Sequence, residues 1–415
     1  MFLYLLKKQL KTAVIFTILL CLVLMMQTSA SWENSYNGQY YDEQVEYLSQ
    51  YNLSDRASFF LSLTKDATEV RQQVREIEEF MAYEGEIPEG VVNPLEVASS
   101  GAMYMDYDMV VWRQNMLNLP GKFTETISGD EHMLEALSKR LNYTQHLPSI
   151  LENHREIAVR GIRRGGSNAY KYELALEELE GISTDFPVND VAYTQNLLDF
   201  MQEDWYFSVL IAILFFGTFS TIVQQRIAWP VSISRLGTRK YSIIQITASL
   251  LTSVVVFVLY HSGVILACSF WNPAEVAWNL PIQCVFGELF DSYEIILNLK
   301  VWEYTVILLV LKCLFSILLC SIIVFISLLS RNNTIAAVFT LLACGTLILL
   351  HSELPFGGLL IGNVSCLLEG MCWTKIGTTI TSYSSIYIIA VTILSIAFIG
   401  LTILLSKPVL RRCSK

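Results

Sequence analysis

Charge is scarce in this chain. Only 16% of its 415 residues are Asp, Glu, Lys or Arg, while 53% are apolar; soluble domains carry roughly 25% charged residues. A wholly soluble fold is excluded, and so is a disordered chain, because disorder needs low hydrophobicity. Basic residues are outnumbered, 28 against 38, for a net charge of −10, which argues against nucleic acid as a partner. The chemical signatures of several enzyme classes are missing too. There is no G-x-x-x-x-G-K-[ST] phosphate loop, no H-E-x-x-H, no G-x-S-x-G elbow and no Cys/His spacing suited to zinc. The chain therefore reads as a non-enzyme that binds no metal and no cofactor of its own.

What the chain has instead is long apolar runs. Crossing a bilayer as a helix takes about 20 mostly apolar residues. Six stretches meet that need: Thr12–Ser31, Tyr206–Val223, Ile243–Phe270, Tyr304–Leu329, Thr334–His351 and Ile386–Leu405. The fourth and fifth are parted only by Ser330-Arg331-Asn332-Asn333, so they should form a tight helical hairpin.

The charges are sorted in space. Trp32–Asp204 holds 31 acidic and 13 basic residues, a net of −18. Lys7, Lys8, Lys11, Arg226, Arg235, Arg239, Lys240, Arg331, Lys407, Arg411, Arg412 and Lys415 all fall in segments that alternate to one side, with no acidic residue beside them. Basic residues in short loops mark the cytoplasmic face. The expected map has both termini cytoplasmic, residues 1–31 as N-terminus and first helix, 32–204 as an extracellular domain, and 205–415 as a five-helix membrane domain. The fold class is an all-α polytopic membrane protein, six transmembrane helices with a mainly helical extracellular domain between helices 1 and 2. The first apolar stretch, with Thr28-Ser29-Ala30 after it, also fits a secretory signal peptide, so retention and cleavage both stay open.

The extracellular segment contains no cysteine and must hold together without disulfides. Cys366 and Cys372, beyond it, lie close enough in sequence to pair, which only geometry decides. Helical patterns run from Ser62 to about Tyr83, then from a cap at Ser128 or Asp130 along Leu134, Leu137 and Leu141. Leu147, Ile150, Leu151, Ile157 and Ala158 continue the apolar stripe past Pro148, another helix covers Tyr170–Leu179, and Asp190 is placed to cap a last one. A short strand is expected near Met103–Trp112.

Polar groups inside the spans are few. Lys312 lies about two turns into the fourth span, where a buried ammonium must either snorkel to the outer interface or find a partner along a path or seam. His261 and His351 pose the same question.

The order of one span, a large external domain and five more spans resembles the membrane subunit of ABC transporters, the ABC type-2 permease class. Three stretches carry the likeness besides that order. QQRIAWPVSISRLGTRKYSIIQ (Gln224–Gln245) is similar to the internal loop of such permeases, with Gly237-Thr238-Arg239-Lys240 as its basic step. Gln225 stands where Glu is usual and Gln245 where Lys is usual. Those departures bear on the ATPase partner and the strength of coupling. SLLSRNNTIAAVFTLL (Ser327–Leu342) resembles the family's Ser-x-x-x-Arg-Asn turn, and Leu141–Leu179 resembles the membrane-proximal part of large-ectodomain permeases from Gram-positive bacteria.

The resemblance implies a plasma-membrane exporter that moves or extracts an amphiphilic or peptide-like substrate. ATP would be used by a separate ABC ATPase subunit on the cytoplasmic face, and a homodimer or paired permease is implied. In the coupling loop Trp229 offers an apolar knob and Pro230 a helix start. Arg226, Arg235, Arg239 and Lys240 offer cations for ATPase carboxylates, or else simply orient the loop and meet lipid headgroups. A competing class is a non-transporting membrane protein whose acidic ectodomain binds an envelope or extracellular partner. A third, the mechanotransmitting ABC subunits, normally has four spans.

Overall fold

The structure, a computed structural model, describes residues 2–33, 41–52, 55–81, 125–183, 205–224, 237–271, 278–285, 296–330, 332–349, 364–368, 372–376 and 378–412, with Thr194, Leu197, Leu198 and Met201. Those residues are mostly helical, and four helical stretches are long and apolar enough to cross a membrane: Tyr206–Gln224, Gly237–Leu266, Val301–Leu329 and Tyr383–Leu410. A shorter apolar helix follows the third. The expected strand at Met103–Trp112 and the cap at Asp190 lie outside the described residues.

The chain divides into two compact units. One comprises Ser31–Pro148 and Thr184–Asp190; the other comprises Met1–Ala30, Ser149–Ser183 and Val191–Lys415. In chain order the helices are α1 (Phe2–Glu33), α2 (Tyr41–Ser49), α3 (Arg56–Met81), α4 (Glu125–Arg164), α5 (Ala169–Gly181), α6 (Trp205–Phe215), α7 (Ser220–Gln224), α8 (Gly237–Trp271), α9 (Val301–Leu329), α10 (Asn333–Leu349) and α11 (Tyr383–Arg412). Before α11 comes a hairpin, β1 (Trp373–Ile376) and β2 (Thr379–Ser382), paired antiparallel with Trp373 opposite Ser382. This hairpin was not expected from the sequence, since four-residue strands fall below any clear alternation.

In the smaller unit, α3 starts before the expected Ser62 because Asp55 caps it. The Asp55 carboxylate accepts the Ser58 N–H at 3.3 Å and its hydroxyl at 2.8 Å, which holds that carboxyl below its ordinary pKa. Helix α4 begins at Glu125, so Ser128 and Asp130 sit inside it and are not its caps, and it contains Pro148. Leu134, Leu137 and Leu141 do form a buried face, packed with Phe59, Phe60 and Leu63 of α3 and Leu48 of α2.

In the larger unit α9 is the central helix, touched by α6, α8, α10 and α11. Gln9 reaches Ser249 and Cys21 reaches Tyr260, so α1 and α8 run in the same direction. Met201 meets Lys312 and Phe219 meets Ser327, so the α6–α7 segment and α9 also run together. By contrast α11 turns an apolar face outward, with Ile389, Ile393, Ile396 and Leu404 at 60–68% exposure. Above one end of the bundle, Ala175 of α5 packs with Cys372 and Trp373, and the Glu178 carboxylate accepts the Asn298 N–H at 2.8 Å.

Candidate functional site

The second expected span is not one continuous helix. Phe216-Gly217-Thr218-Phe219 forms a turn between α6 and α7. Gly217 lowers helix propensity by about 1 kcal/mol relative to Ala, and Thr218 turns its hydroxyl back to the Phe215 carbonyl at 2.8 Å. Breaking a helix leaves the first N–H groups of the next one without partners, which in hydrocarbon costs several kcal/mol per group. Here a neighbouring helix supplies the cap. Ser327 Oγ, on α9, accepts the N–H of Phe219 at 2.8 Å and of Ser220 at 3.1 Å.

The same break is tied to the turn between α9 and α10. Asn333 Oδ1 accepts the hydroxyls of Ser220 at 2.7 Å and Thr221 at 3.1 Å, and the Asn333 N–H donates to Gln224 Oε1 at 3.3 Å. Asn332 caps α10 through the Ile335 N–H at 2.8 Å. Five polar side chains from three helices, Ser220, Thr221, Gln224, Ser327 and Asn333, thus form one clamp. Ser327, Asn332 and Asn333 lie in the stretch that resembles the permease turn, but Ser220, Thr221 and Gln224 gave no sequence signal. A glycine-threonine step inside an apolar run was the available clue.

Deeper in the bundle, the Ser253 and Ser316 hydroxyls meet at 2.8 Å between α8 and α9. Lys312, one turn before Ser316, is 4% exposed, and its ammonium donates to the Met201 carbonyl. Met201 precedes α6, so the bond ties α9 to the start of that segment. His261 is 3% exposed; its Nδ1 lies 3.0 Å from the Phe257 carbonyl and its ring stacks against Phe257 at 4.1 Å. It packs as a core aromatic. His351 lies outside the described residues.

Of the expected coupling residues, Arg239 and Lys240 are exposed in the first turn of α8, which Gly237 opens with φ of 67°. Arg226, Trp229, Pro230 and Arg235 lie outside the described residues. Gln245 is 6% exposed and, among the described residues, its Oε1 has no hydrogen-bond partner; the same holds for Oε1 of Gln9. An apolar groove of about 600 Å³ lies between α9 and α10, lined by Ile326, Leu329, Ile335, Phe339 and Leu342 with Ser330. Among the described residues no cluster of His, Cys, Asp or Glu is arranged to hold a metal ion.

The chain matches no protein-family model, no curated protein and no solved structure.

Proposed function

We propose that this chain is the membrane-spanning permease subunit of an ABC exporter of the type-2 class, driven by a separate ATPase and moving or extracting an amphiphilic or peptide-like substrate. The observation that carries the reading is the clamp at the α6–α7 break. Gln224, two residues before the expected coupling loop Arg226–Lys240, is bonded to Asn333, and the break just before it is held by Ser327. Both Ser327 and Asn333 belong to the stretch that resembles the permease turn. A push on the loop would be felt directly at an interrupted helix, and interrupted spans are a recurring device in transporters.

The finer topology belongs to the same reading. Four crossings alone would fit the mechanotransmitting class. Two further crossings, α1 and α10, make six with both ends cytoplasmic. In that map the first and third spans point outward and the second and fourth inward, the same pairing of directions that α1 with α8 and α6–α7 with α9 have. The ATPase would dock on the loop Arg226–Lys240, and a second permease copy would complete the transporter.

Co-purification tests the coupling. Arg235→Glu with Arg239→Glu should abolish ATPase association while membrane insertion persists. Losing one buried interfacial charge pair costs roughly 2–5 kcal/mol, whereas headgroup contact is worth only about 1 kcal/mol per basic residue. Undiminished ATPase binding with normal topology would remove this loop as the coupling element. Failure of the wild-type chain to capture any ATPase would favour the non-transporting reading.

A further inference from the structure

The α4–α5 hairpin ends in Gly161–Tyr172, a segment with Arg163, Arg164 and Lys171 and no acidic residue. Carboxylates crowd both sides of it, from Glu152 and Glu156 before to Glu173, Glu177, Glu178 and Glu180 after. The tip is tightly built. Gly165 and Gly166 turn the chain at φ of 65° and 100°, and Gly161 lets the Tyr172 ring close over the backbone, where a Cβ would lie 2.4 Å from it. Arg155 and Arg160, earlier on α4, pair with Glu152 at 3.4 Å and Glu156 at 3.6 Å. Arg163 and Arg164 are exposed and, among the described residues, have no carboxylate at ion-pair distance.

The depth of this tip relative to a bilayer follows from Lys171. Its ammonium lies 3.5 Å from the Tyr383 hydroxyl and 5.7 Å from the centre of that ring. Tyr383 is the first residue of the 28-residue apolar span Tyr383–Leu410. At about 1.5 Å per residue that span exceeds a hydrocarbon core of roughly 30 Å, so its first turn sits among the headgroups, where tyrosine is enriched. Lys375, exposed on β1, adds a fourth cation on the strand whose Trp373 packs against α5.

We propose that this tip binds the phosphate headgroups of anionic phospholipids in the leaflet where α11 begins. Arg163 and Arg164 present planar donor pairs that fit a phosphodiester in bidentate fashion, while Lys171, held by Tyr383, adds a fixed point charge. The proposal needs α11 to cross a membrane; it does not need the chain to transport anything. Each arginine should contribute about fivefold to the preference for an anionic over a zwitterionic lipid, and the pair roughly 25-fold.

Photocrosslinking of the full chain tests this. A photoreactive residue replaces exposed Ser167, the protein is placed in nanodiscs of equal phosphatidylglycerol and phosphatidylcholine, and the lipid adducts at that position are weighed by mass spectrometry. Phosphatidylglycerol adducts should dominate. Arg163→Gln with Arg164→Gln should lower the ratio of the two adducts roughly 25-fold, and Arg160→Gln, whose arginine is already paired, should leave it unchanged. A ratio near one in the wild type, a ratio insensitive to the double substitution, or no lipid adduct at all would overturn the proposal. So would labelling by a photoreactive soluble glycerophosphate in place of either lipid, because the tip would then read a free anion.

Discussion

Ser327 Oγ, on α9, holds the backbone N–H of Phe219 at 2.8 Å across a break in the neighbouring span. A second N–H, of Ser220, shares the same oxygen at 3.1 Å. One hydroxyl therefore satisfies two donors that an uninterrupted helix would have satisfied within itself, and it does so from another helix. The break and its cap are a single unit of structure.

Ser327→Ala should leave both donors unpaired in a water-poor setting. An orphaned buried polar group costs about 1–3 kcal/mol, so thermal unfolding of the full chain in detergent should start several degrees lower. Ser327→Thr keeps the acceptor and should recover most of that loss. Equal melting of the alanine variant and the wild type would mean that Ser327 is not the cap.

The first helix should be retained in the mature protein. Its Cys21 lies against Gly263 of α8, where a Cβ would come within 2.6 Å of the sulfur, and Gln9 Nε2 donates to Ser249 at 3.3 Å. A cleaved leader has no reason to be fitted so closely along its length. Intact mass of the purified chain should include residues 1–31, and a mature start near Ser31 would decide for a signal peptide. Gly263→Leu should force the two helices apart and lower stability by about 1–3 kcal/mol, the usual cost of overpacking.

Apolar length made four of the six expected membrane helices legible, because it is summed over many residues. Val301–Leu329 and Tyr383–Arg412 each extend the expected spans Tyr304–Leu329 and Ile386–Leu405 by only a few residues at most ends. The leucine face at 134, 137 and 141 was legible for the same reason. The break at Phe216–Phe219 was not, since its cap comes from Ser327, over a hundred residues away, and the likeness of Ser327–Leu342 to a turn says nothing of a bond to another span. The partner of Lys312 was equally hidden, because a backbone carbonyl has no sequence signature.

Cys372 should behave as a free and sluggish thiol. It is 1% exposed, packed with Ala175 and Trp373. Burial above all, with a smaller push from Glu178, raises its pKa to about 11. The thiolate is the reactive form, so alkylation of the native chain at pH 8 should be far slower at Cys372 than after unfolding in denaturant. Rapid native labelling at this position, or a Cys372 disulfide in a non-reducing peptide map, would contradict the packing described.

The smaller unit should lose stability at alkaline pH through Tyr47. Its hydroxyl donates to Asp66 Oδ2 at 2.7 Å, and the Tyr51 hydroxyl donates to the same oxygen at 2.7 Å. Burial first, then the bonds to Tyr51 and Asp66, raise the Tyr47 pKa above the ordinary phenol value. A group whose folded pKa lies above its unfolded one gives stability that is fully present below the unfolded value, here about 10. That stability is lost as pH climbs past 10, because the unfolded phenol gives up its proton while the folded one keeps it. Tyr47→Phe removes one hydrogen bond at pH 8, a loss of about 0.5–1.5 kcal/mol, but it also removes this titration. Resistance of the 41–81 region to proteolysis during heating of the full chain should therefore be lower in the variant at pH 8, and the gap should close above pH 10. Two curves that stay parallel across that range would show that Tyr47 ionises no differently in the folded and unfolded chain.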